Sequence, residues 1–415
     1  HELAVDVIEP FTGGAITRAE LGTIAKQAYH SFGHPAVTPL VQIEPNRFVL
    51  ELFHGPTLAF KDVAMQFLSG LIDLILAKRK QRATIVCATS GDTGGAAVEA
   101  FRGADNVDIV VLFPDGRVSD VQRRMMTTPT ESNVHALAID GTFDDCQALV
   151  KAMFNDHGFR DQVALSGVNS INWARVAPQI TYYFAAAVAL GAPHRKVSFA
   201  VPTGNFGDIF AGYVAKRMGL PIERLTVASN ANDILPRTVA TGVYEKRGVV
   251  ATLSPSMDIQ VSSNFERYLF EAQGRDAALI RRQMASLGQS GRFEVAGGPE
   301  RLAQDFAAAS ASEVEVATCI RETIEASGYL LEPHTACGLI ASRKTPALPD
   351  GVPEVVLATA HPAKFAEAMT EITSSPAPLP ARLAHLLTEP ERVTVLQNDV
   401  VSVQNYIRDT SRAVQ

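Results

Sequence analysis

Short apolar segments alternate with segments of helical character over most of this chain. The apolar segments comprise residues 49–53, 83–88, 107–113, 134–139, 163–165, 197–201, 225–228 and 355–358. Each is almost continuously apolar, and most are followed by a stretch in which apolar residues recur at helical spacing. Strands of this composition are buried on both faces, as in a parallel sheet covered by helices. The sequence therefore predicts the α/β class.

One region departs from this alternation. Residues 230–299 are more polar and show little strand–helix order, so we interpret them as an insertion of helices and loops. The whole chain of 415 residues is long enough for two or three domains with complete cores. Its content of 47% hydrophobic and 20% charged residues is typical of a globular protein rather than a disordered one.

Charge and cysteine spacing exclude several classes of partner. A net charge of -7 argues against nucleic acid or an anionic membrane as the main partner. No apolar run reaches the length of a membrane span. The cysteines lack Cys-x-x-Cys spacing and paired histidines, so we expect no metal site and reduced thiols, typical of a cytoplasmic protein. They are Cys87, Cys146, Cys319 and Cys337.

Lys61 stands between a turn and a long amphipathic segment. Gly55 and Pro56 end the preceding strand, and apolar residues between 64 and 75 fall at helical spacing. We therefore expect Lys61 at a helix N-terminus beside Phe60, where burial and the positive helix end would both lower its pKa. Such a lysine is a nucleophilic amine suited to Schiff-base chemistry. For a lone lysine, an exposed position at a helix start is the commoner alternative.

Two glycine-rich loops lie between predicted strands and helices. Residues 90–95 (SGDTGG) offer hydroxyl groups and amides at a helix start, which suit a carboxylate or phosphate. Residues 203–207 (TGNFG) form the better phosphate site, because glycines bracket the turn. Ligands of open parallel sheets bind at such strand ends. Neither loop matches the P-loop pattern, and each by itself could be only a tight turn.

Two further residues complete a possible site. Arg175 follows a polar loop with few other cations nearby and could bind an anion through two hydrogen bonds, although an internal salt bridge is the alternative. Thr359 ends an apolar strand, where its hydroxyl could bond a buried ring nitrogen or serve only the strand end. With Lys61 and the two loops, these residues form the set that a pyridoxal phosphate enzyme requires.

The motifs resemble those of the threonine synthase family, which consists of fold-type-II pyridoxal phosphate enzymes. The resemblance runs from about residue 11 to the C-terminus. The segment 254–259 and the insertion resemble the longer bacterial and fungal branch of the family. Family members normally begin with an additional segment, so we expect one to precede His1. The segments that carry the resemblance are residues 54–62 (HGPTLAFKD), 88–94 (ATSGDTG), 169–175 (NSINWAR), 202–208 (PTGNFGD), 254–259 (SPSMDI) and 359–365 (TAHPAKF).

The resemblance implies two parallel-sheet α/β domains with the cofactor between them. The larger, cofactor-binding domain would comprise residues 1–80 and 180–415, including the insertion, and the smaller substrate domain residues 81–179. Lys61 would carry the cofactor as a Schiff base and act as the catalytic residue. The remaining cofactor contacts would be Gly204, Asn205, Phe206 and Gly207 to the phosphate and Thr359 to the ring nitrogen. The substrate contacts would be Ser90, Asp92, Thr93, Asn169, Ser170 and Arg175.

The implied activity is that of a carbon–oxygen lyase acting on phosphates. It converts O-phospho-L-homoserine and water to L-threonine and phosphate by γ-elimination and β-addition of water, the last step of threonine biosynthesis. We expect a small-molecule substrate, no nucleic-acid or membrane partner, a cytoplasmic location, and a monomer or homodimer. The sequence leaves open the oligomeric state, allosteric regulation and the role of the insertion.

Other functions remain as alternatives at this point. A phospho-lyase of the same family would release 2-oxobutyrate and share every cofactor residue. A non-catalytic metabolite-binding regulator could use the same fold without the lysine chemistry. A dehydrogenase is disfavoured, because no predicted strand is followed by G-x-G-x-x-G and a downstream acidic residue.

Overall fold

The computed structural model describes residues 1–414 and separates into two compact units. The first unit contains His1–Val37, Phe53–Pro178 and the chain from Pro378 onward. The second contains Thr38–Leu52 and Gln179–Ala377. Each unit is built on its own sheet. The predicted α/β class is confirmed.

The strands and helices follow the chain in this order. The strands are β1 (Leu40–Glu44), β2 (Arg47–Glu51), β3 (Ala83–Ala88), β4 (Val107–Pro114), β5 (Val134–Asp140), β6 (Leu165–Ser166), β7 (Val197–Pro202), β8 (Ile222–Ser229), β9 (Val243–Glu245), β10 (Arg292–Glu294), β11 (Phe306–Ser310), β12 (Glu354–Ala358) and β13 (Thr394–Gln397). The helices are α1 (Glu2–Ile8), α2 (Arg18–His30), α3 (Lys61–Arg79), α4 (Asp92–Phe101), α5 (Asp120–Thr127), α6 (Phe143–Asn155), α7 (His157–Gln162), α8 (Trp173–Ala189), α9 (Gly207–Arg217), α10 (Ile234–Thr241), α11 (Phe265–Ala272), α12 (Ala277–Ser290), α13 (Gly298–Ala303), α14 (Glu313–Ser327), α15 (Pro333–Lys344), α16 (Ala366–Thr373) and α17 (Val400–Thr410). Short 3-10 turns lie at Glu9–Phe11, Pro255–Met257, Pro362–Phe365 and Ala381–Leu387.

The first unit has a parallel sheet in the order β13-β5-β4-β3-β6. Side chains of successive residues in β3 enter different cores, because a strand points alternate residues to opposite faces. Ile85 packs with α3 and α4, whereas Val86 packs with α6 and α17. Both faces are therefore covered, which explains why β3 is apolar except for Thr84.

The second unit has a sheet in the order β1-β2-β12-β7-β8-β11. The pair β1–β2 is antiparallel, and the other neighbouring strands are parallel. The edge strands β1 and β11 were not predicted from the sequence. Strand β6 lies at Leu165–Ser166 rather than at residues 163–165, because α7 occupies the chain up to Gln162.

The predicted insertion is a compact substructure of the second unit. Between β8 and β11 the chain forms α10 to α13, a 3-10 turn and a two-stranded antiparallel sheet in which Tyr244 pairs with Phe293. It then returns to the main sheet, where β11 pairs with β8 in parallel. The chain therefore leaves the main sheet after β8 and rejoins it at β11, just beyond the insertion.

The observed units divide the chain differently from the predicted domains. Helix α3, with Lys61, and helix α17 were expected in the larger domain, but both belong to the unit that contains residues 81–178. The reason is the direction of their apolar faces. Met65 and Leu68 of α3 pack with Ile85, and Val403 and Ile407 of α17 pack with the opposite face of the same sheet. Within residues 1–414, no helix is both long and apolar enough to cross a membrane.

Candidate active site

Lys61 is the first residue of α3, as the sequence predicted. Its side chain is 13% exposed, and Nζ lies 5.5 Å from the ring centroid of Phe60. Both groups are held at the start of the helix, where the free amide groups carry partial positive charge. The amine is thus partly buried in an electropositive position.

The turn before Lys61 is held by two charged side chains. The buried Asp62 carboxylate accepts hydrogen bonds from the backbone N–H and the hydroxyl of Thr57, at 2.8 and 2.5 Å. Arg382 donates to the carbonyls of His54 and Gly55, at 3.0 and 2.8 Å. A Cβ on Gly55 would lie 2.4 Å from atoms of Asp62, so only glycine permits this close approach. The position of Lys61 is therefore determined by its turn.

Asp92 is the nearest described counter-charge of Lys61. The ammonium Nζ lies 3.1 Å from Asp92 Oδ2, and Gln122 Nε2 donates to Asp92 Oδ1 at 2.8 Å. Asp92 is the first residue of α4, after Gly91 at φ 137°. A Cβ on Gly91 would lie 2.6 Å from the Gln122 amide. Asp92 thus contacts both Lys61 and Gln122, and the contact to substrate that the resemblance implies stays a prediction.

The loop from Thr89 to Gly94 surrounds the start of α4. The Thr89 hydroxyl accepts hydrogen bonds from the N–H groups of Gly91 and Gly94, both at 2.9 Å. Gly91 precedes the helix and has no side chain to cap it, so the Thr89 hydroxyl serves as the cap at Gly94. Ser90 is exposed and Thr93 is half-buried. The loop therefore presents two hydroxyl groups at a helix N-terminus, an arrangement that suits anions.

Arg175 lies in the first turn of α8 and is 4% exposed. Its Nη1 donates to the carbonyl of Val168 at 2.9 Å, and burial lowers its pKa to about 10. The loop before it is closed by a hydrogen bond from Asn172 N–H to the carbonyl of Asn169 at 3.0 Å. Asn169 is exposed and Ser170 is half-buried. All six predicted substrate residues thus lie in the first unit.

The predicted phosphate loop lies in the second unit, between β7 and α9. Phe206 precedes the helix in a left-handed conformation, with φ 64° and ψ 1°, and no side chain caps the helix. A Cβ on Gly204 would lie 2.9 Å from the carbonyl oxygen of Ser256, so this position requires glycine. The loop therefore combines close backbone packing with uncapped amides.

Thr359 lies at the same edge of the sheet as this loop. Strands β12 and β7 are parallel neighbours, with Val355 opposite Phe199 and Val356 opposite Ala200. Residues that follow these two strands therefore emerge side by side. Thr359, directly after β12, is 7% exposed. The second unit thus brings together all the predicted cofactor residues except Lys61.

Comparisons with known proteins identify the family. The model of the family described as "Pyridoxal-phosphate dependent enzyme" matches residues 32–360, and the model described as "Threonine synthase, C-terminal" matches residues 335–407. The chain is 51% identical to threonine synthase of Pseudomonas aeruginosa, over 98% of this chain and 87% of that protein. This chain belongs to the threonine synthase family.

Solved structures of threonine synthases have the same fold. The pyridoxal-phosphate-bound threonine synthase from Brucella melitensis is 58% identical, with a TM-score of 0.97 over 99% of this chain and 88% of that chain. Threonine synthase from yeast is 39% identical, with a TM-score of 0.93 over 98% of this chain and 88% of that chain. The predicted family, the fold-type-II architecture and pyridoxal phosphate dependence are confirmed.

The geometry fits the cofactor that threonine synthases use. A helix N-terminus without a side-chain cap from its N-cap residue suits the phosphate, and the Thr359 hydroxyl follows the strand next to that loop. Lys61 supplies a partly buried amine. Within residues 1–414, no group of three or more His, Cys, Asp or Glu side chains is placed to hold a metal ion.

Several residues near the site were not identified from the sequence. Gln122 and Arg382 lie 30 and 327 positions along the chain from the groups they contact, Asp92 and Gly55. Neither stands in a recognisable motif, so no local signal marked them. Asp62 does lie in a motif, residues 54–62. Its spacing from Thr57 within that motif was the available signal for their hydrogen bonds.

Proposed function

We propose that this chain converts O-phospho-L-homoserine and water to L-threonine and phosphate with pyridoxal phosphate as cofactor. The observation that carries the proposal is the placement of Lys61, whose ammonium lies 3.1 Å from Asp92 where α3 and α4 both begin. A lysine held in this way can bind a cofactor aldehyde covalently and later move a proton. The similarity to threonine synthases supports the proposal.

Cofactor contacts are proposed for both units. Lys61 would form the covalent bond, and the amides of Gly204, Asn205, Phe206 and Gly207 would bind the phosphate. Thr359 would hydrogen-bond the ring nitrogen through its hydroxyl. When bound, pyridoxal phosphate withdraws electrons from the carbon atoms at which the substrate loses protons.

Substrate contacts are proposed for the first unit. Ser90 and Thr93 would bind the substrate carboxylate with the amides of the first turn of α4. Arg175 would bind the phosphate through its guanidinium group, with Asn169 and Ser170 completing that end. Asp92 would keep Lys61 in place, because a carboxylate repels an anionic substrate but attracts an ammonium group.

The proposed reaction requires these residues to perform three tasks. Lys61 removes the α-proton of the substrate and returns a proton at a later step. Arg175 stabilises the charge of the departing phosphate, with Asn169 and Ser170 beside it. Ser90 and Thr93 hold the carboxylate, so that the α-carbon stays within reach of Nζ. Threonine forms only when water then adds at the β-carbon.

Product analysis tests the proposal. The purified protein, supplied with pyridoxal phosphate and O-phospho-L-homoserine, should release phosphate and an equal amount of threonine. Release of 2-oxobutyrate in place of threonine would assign the chain to a phospho-lyase. Release of neither product would reject the proposal.

We further propose a cytoplasmic location and a monomeric or homodimeric state. Cys87, Cys146, Cys319 and Cys337 are buried and unpaired, which suits a reducing compartment. Fractionation of cells would test the location. Sedimentation of the purified protein would test the assembly, and a larger species would contradict it.

A further inference from the structure

Three consecutive residues of the insertion contact the predicted phosphate loop. We call Ser262, Ser263 and Asn264 the clip. The Ser262 hydroxyl donates to the carbonyl of Gly204 at 2.6 Å. The backbone N–H and the side-chain amide of Asn264 both donate to the carbonyl of Asn205, at 3.0 and 3.1 Å. The clip therefore binds two successive carbonyls of the loop.

The hydrogen bonds to these two carbonyls also fix the direction of the amide N–H groups in the loop. A trans peptide is planar, so its C=O and the following N–H point in opposite directions. The peptide that carries the Gly204 carbonyl also carries the N–H of Asn205. The next peptide joins the Asn205 carbonyl to the N–H of Phe206. With both carbonyls directed at the clip, the N–H groups of Asn205 and Phe206 point away from it.

The ring of Phe206 gives a second attachment. A left-handed conformation costs free energy for any residue with a Cβ, so Phe206 needs compensating contacts. Its ring is 2% exposed, 5.1 Å from the ring of Phe265 and 5.4 Å from that of Phe306. Phe265 follows the clip directly and begins α11. Burial of these rings therefore supports the conformation that starts α9.

The clip is anchored within the insertion. The Ser262 N–H donates to the Tyr244 hydroxyl at 2.8 Å, and Ser262 itself is 4% exposed. The Tyr244 ring stacks on Phe265 at 5.4 Å and on Phe293 at 5.0 Å. Tyr244 and Phe293 are paired residues of β9 and β10. The small sheet of the insertion thus holds the clip in place.

We propose that the insertion is a structural part of the cofactor site, in which Ser262, Asn264 and Phe265 are positioning residues. They hold residues 204–207 in the shape that directs amides at the cofactor phosphate. This inference rests on the proposed function, because it assumes that the loop binds that phosphate. It assigns a role to residues 230–299, which the sequence left open.

The test compares affinities for two probes, pyridoxal phosphate and pyridoxal, which lacks the phosphate. Ser262→Ala removes one hydrogen bond to the loop and should weaken pyridoxal phosphate binding about fivefold to tenfold, with little effect on pyridoxal. Tyr244→Phe removes the acceptor for the Ser262 N–H and keeps the ring stack, so it should act in the same direction. Equilibrium dialysis of the full chain, stripped of cofactor and titrated, measures both constants.

Ser286→Ala is the matched control, because the Ser286 hydroxyl also donates to a backbone carbonyl of the insertion, that of Arg292, at 2.7 Å. It should leave both affinities unchanged. Unchanged affinity in Ser262→Ala, or equal losses in Ser262→Ala and Ser286→Ala, would overturn the inference. Equal weakening of both probes would also do so. A wild-type chain that binds pyridoxal phosphate and forms threonine separates these results from failure of the proposed function.

Discussion

The ammonium of Lys61 and the carboxylate of Asp92 lie 3.1 Å apart, each on the first residue of a helix. Opposite charges at this distance attract each other, and both side chains are largely buried, at 13% and 10% exposed. The ion pair therefore holds the Lys61 amine in place, and a change at either residue would disturb its position.

Lys61→Ala should abolish turnover of O-phospho-L-homoserine. It removes both the amine that holds the cofactor and the base that moves the proton, and the loss of the base by itself lowers rates by about 10²- to 10⁴-fold. Phosphate release and the visible absorbance of the bound cofactor should both be lost. Lys78→Ala is the control, because Lys78 lies near the other end of α3 in an exposed pair with Glu20. Near-normal activity of Lys61→Ala would refute the assignment.

Asp92→Asn should lower kcat/KM by about tenfold or more while the chain still binds pyridoxal phosphate. The amide keeps the shape of the side chain but removes the charge that holds Lys61, so a catalytic group is misplaced. Steady-state kinetics with a cofactor titration would measure the two effects separately. Asp120→Asn is the control, because Asp120 is an exposed carboxylate at the start of α5. Wild-type kinetics of Asp92→Asn would contradict a role for the ion pair.

Gly204→Ala should reduce affinity for pyridoxal phosphate by at least about tenfold. The new Cβ would lie 2.9 Å from the carbonyl oxygen of Ser256, and backbone atoms must shift to admit it, at a cost of about 1–3 kcal/mol. Gly248→Ala is the matched control, since no atom lies within 4 Å of a Cβ there. Cofactor titration and thermal unfolding of both variants would measure the effect. The prediction fails if the two variants behave alike.

Asp208 should make stability fall as pH rises. Burial raises the pKa of this carboxyl to about 7 from an ordinary value of 3.8. The folded chain therefore keeps a proton that the unfolded chain has already released, and stability present below pH 4 is lost progressively as pH rises toward 7. The shift corresponds to about 4 kcal/mol as an order of magnitude. Denaturant unfolding between pH 5 and about 8 would measure this slope.

Two variants test whether Asp208 causes this pH dependence of stability. Asp208→Asn should flatten the pH dependence, since the amide does not titrate. The hydroxyls of Tyr182 and Tyr183 lie 2.5 and 2.9 Å from Asp208 Oδ1, and these hydrogen bonds lower its pKa. Tyr182→Phe should therefore move the loss of stability to higher pH. An unchanged slope in Asp208→Asn would show that another group is responsible.

Local patterns were enough for the class of fold and for the place of Lys61 at the start of a helix. Strands such as β3 can be recognised from consecutive residues, because burial on both faces makes nearly every position apolar. Lys61 could be placed at a helix start because its turn and its helix are adjacent in the chain. The loop at 204–207 could be located between a strand and a helix because its glycines bracket a turn, the form that anion-binding loops commonly take.

Tertiary contacts decided the rest. Strand β11 has the sequence Phe-Ala-Ala-Ala-Ser, and alanine favours helix, so only its pairing with β8 makes it a strand. The partners Gln122 for Asp92 and Ser262 for Gly204 are separated by 30 and 58 positions. No local pattern encodes such pairs, because each side chain could serve equally well at a surface. The assignment of α3 to the first unit likewise depends on which core its apolar face packs against. That core forms only in the folded chain, so the sequence of the helix alone does not reveal it.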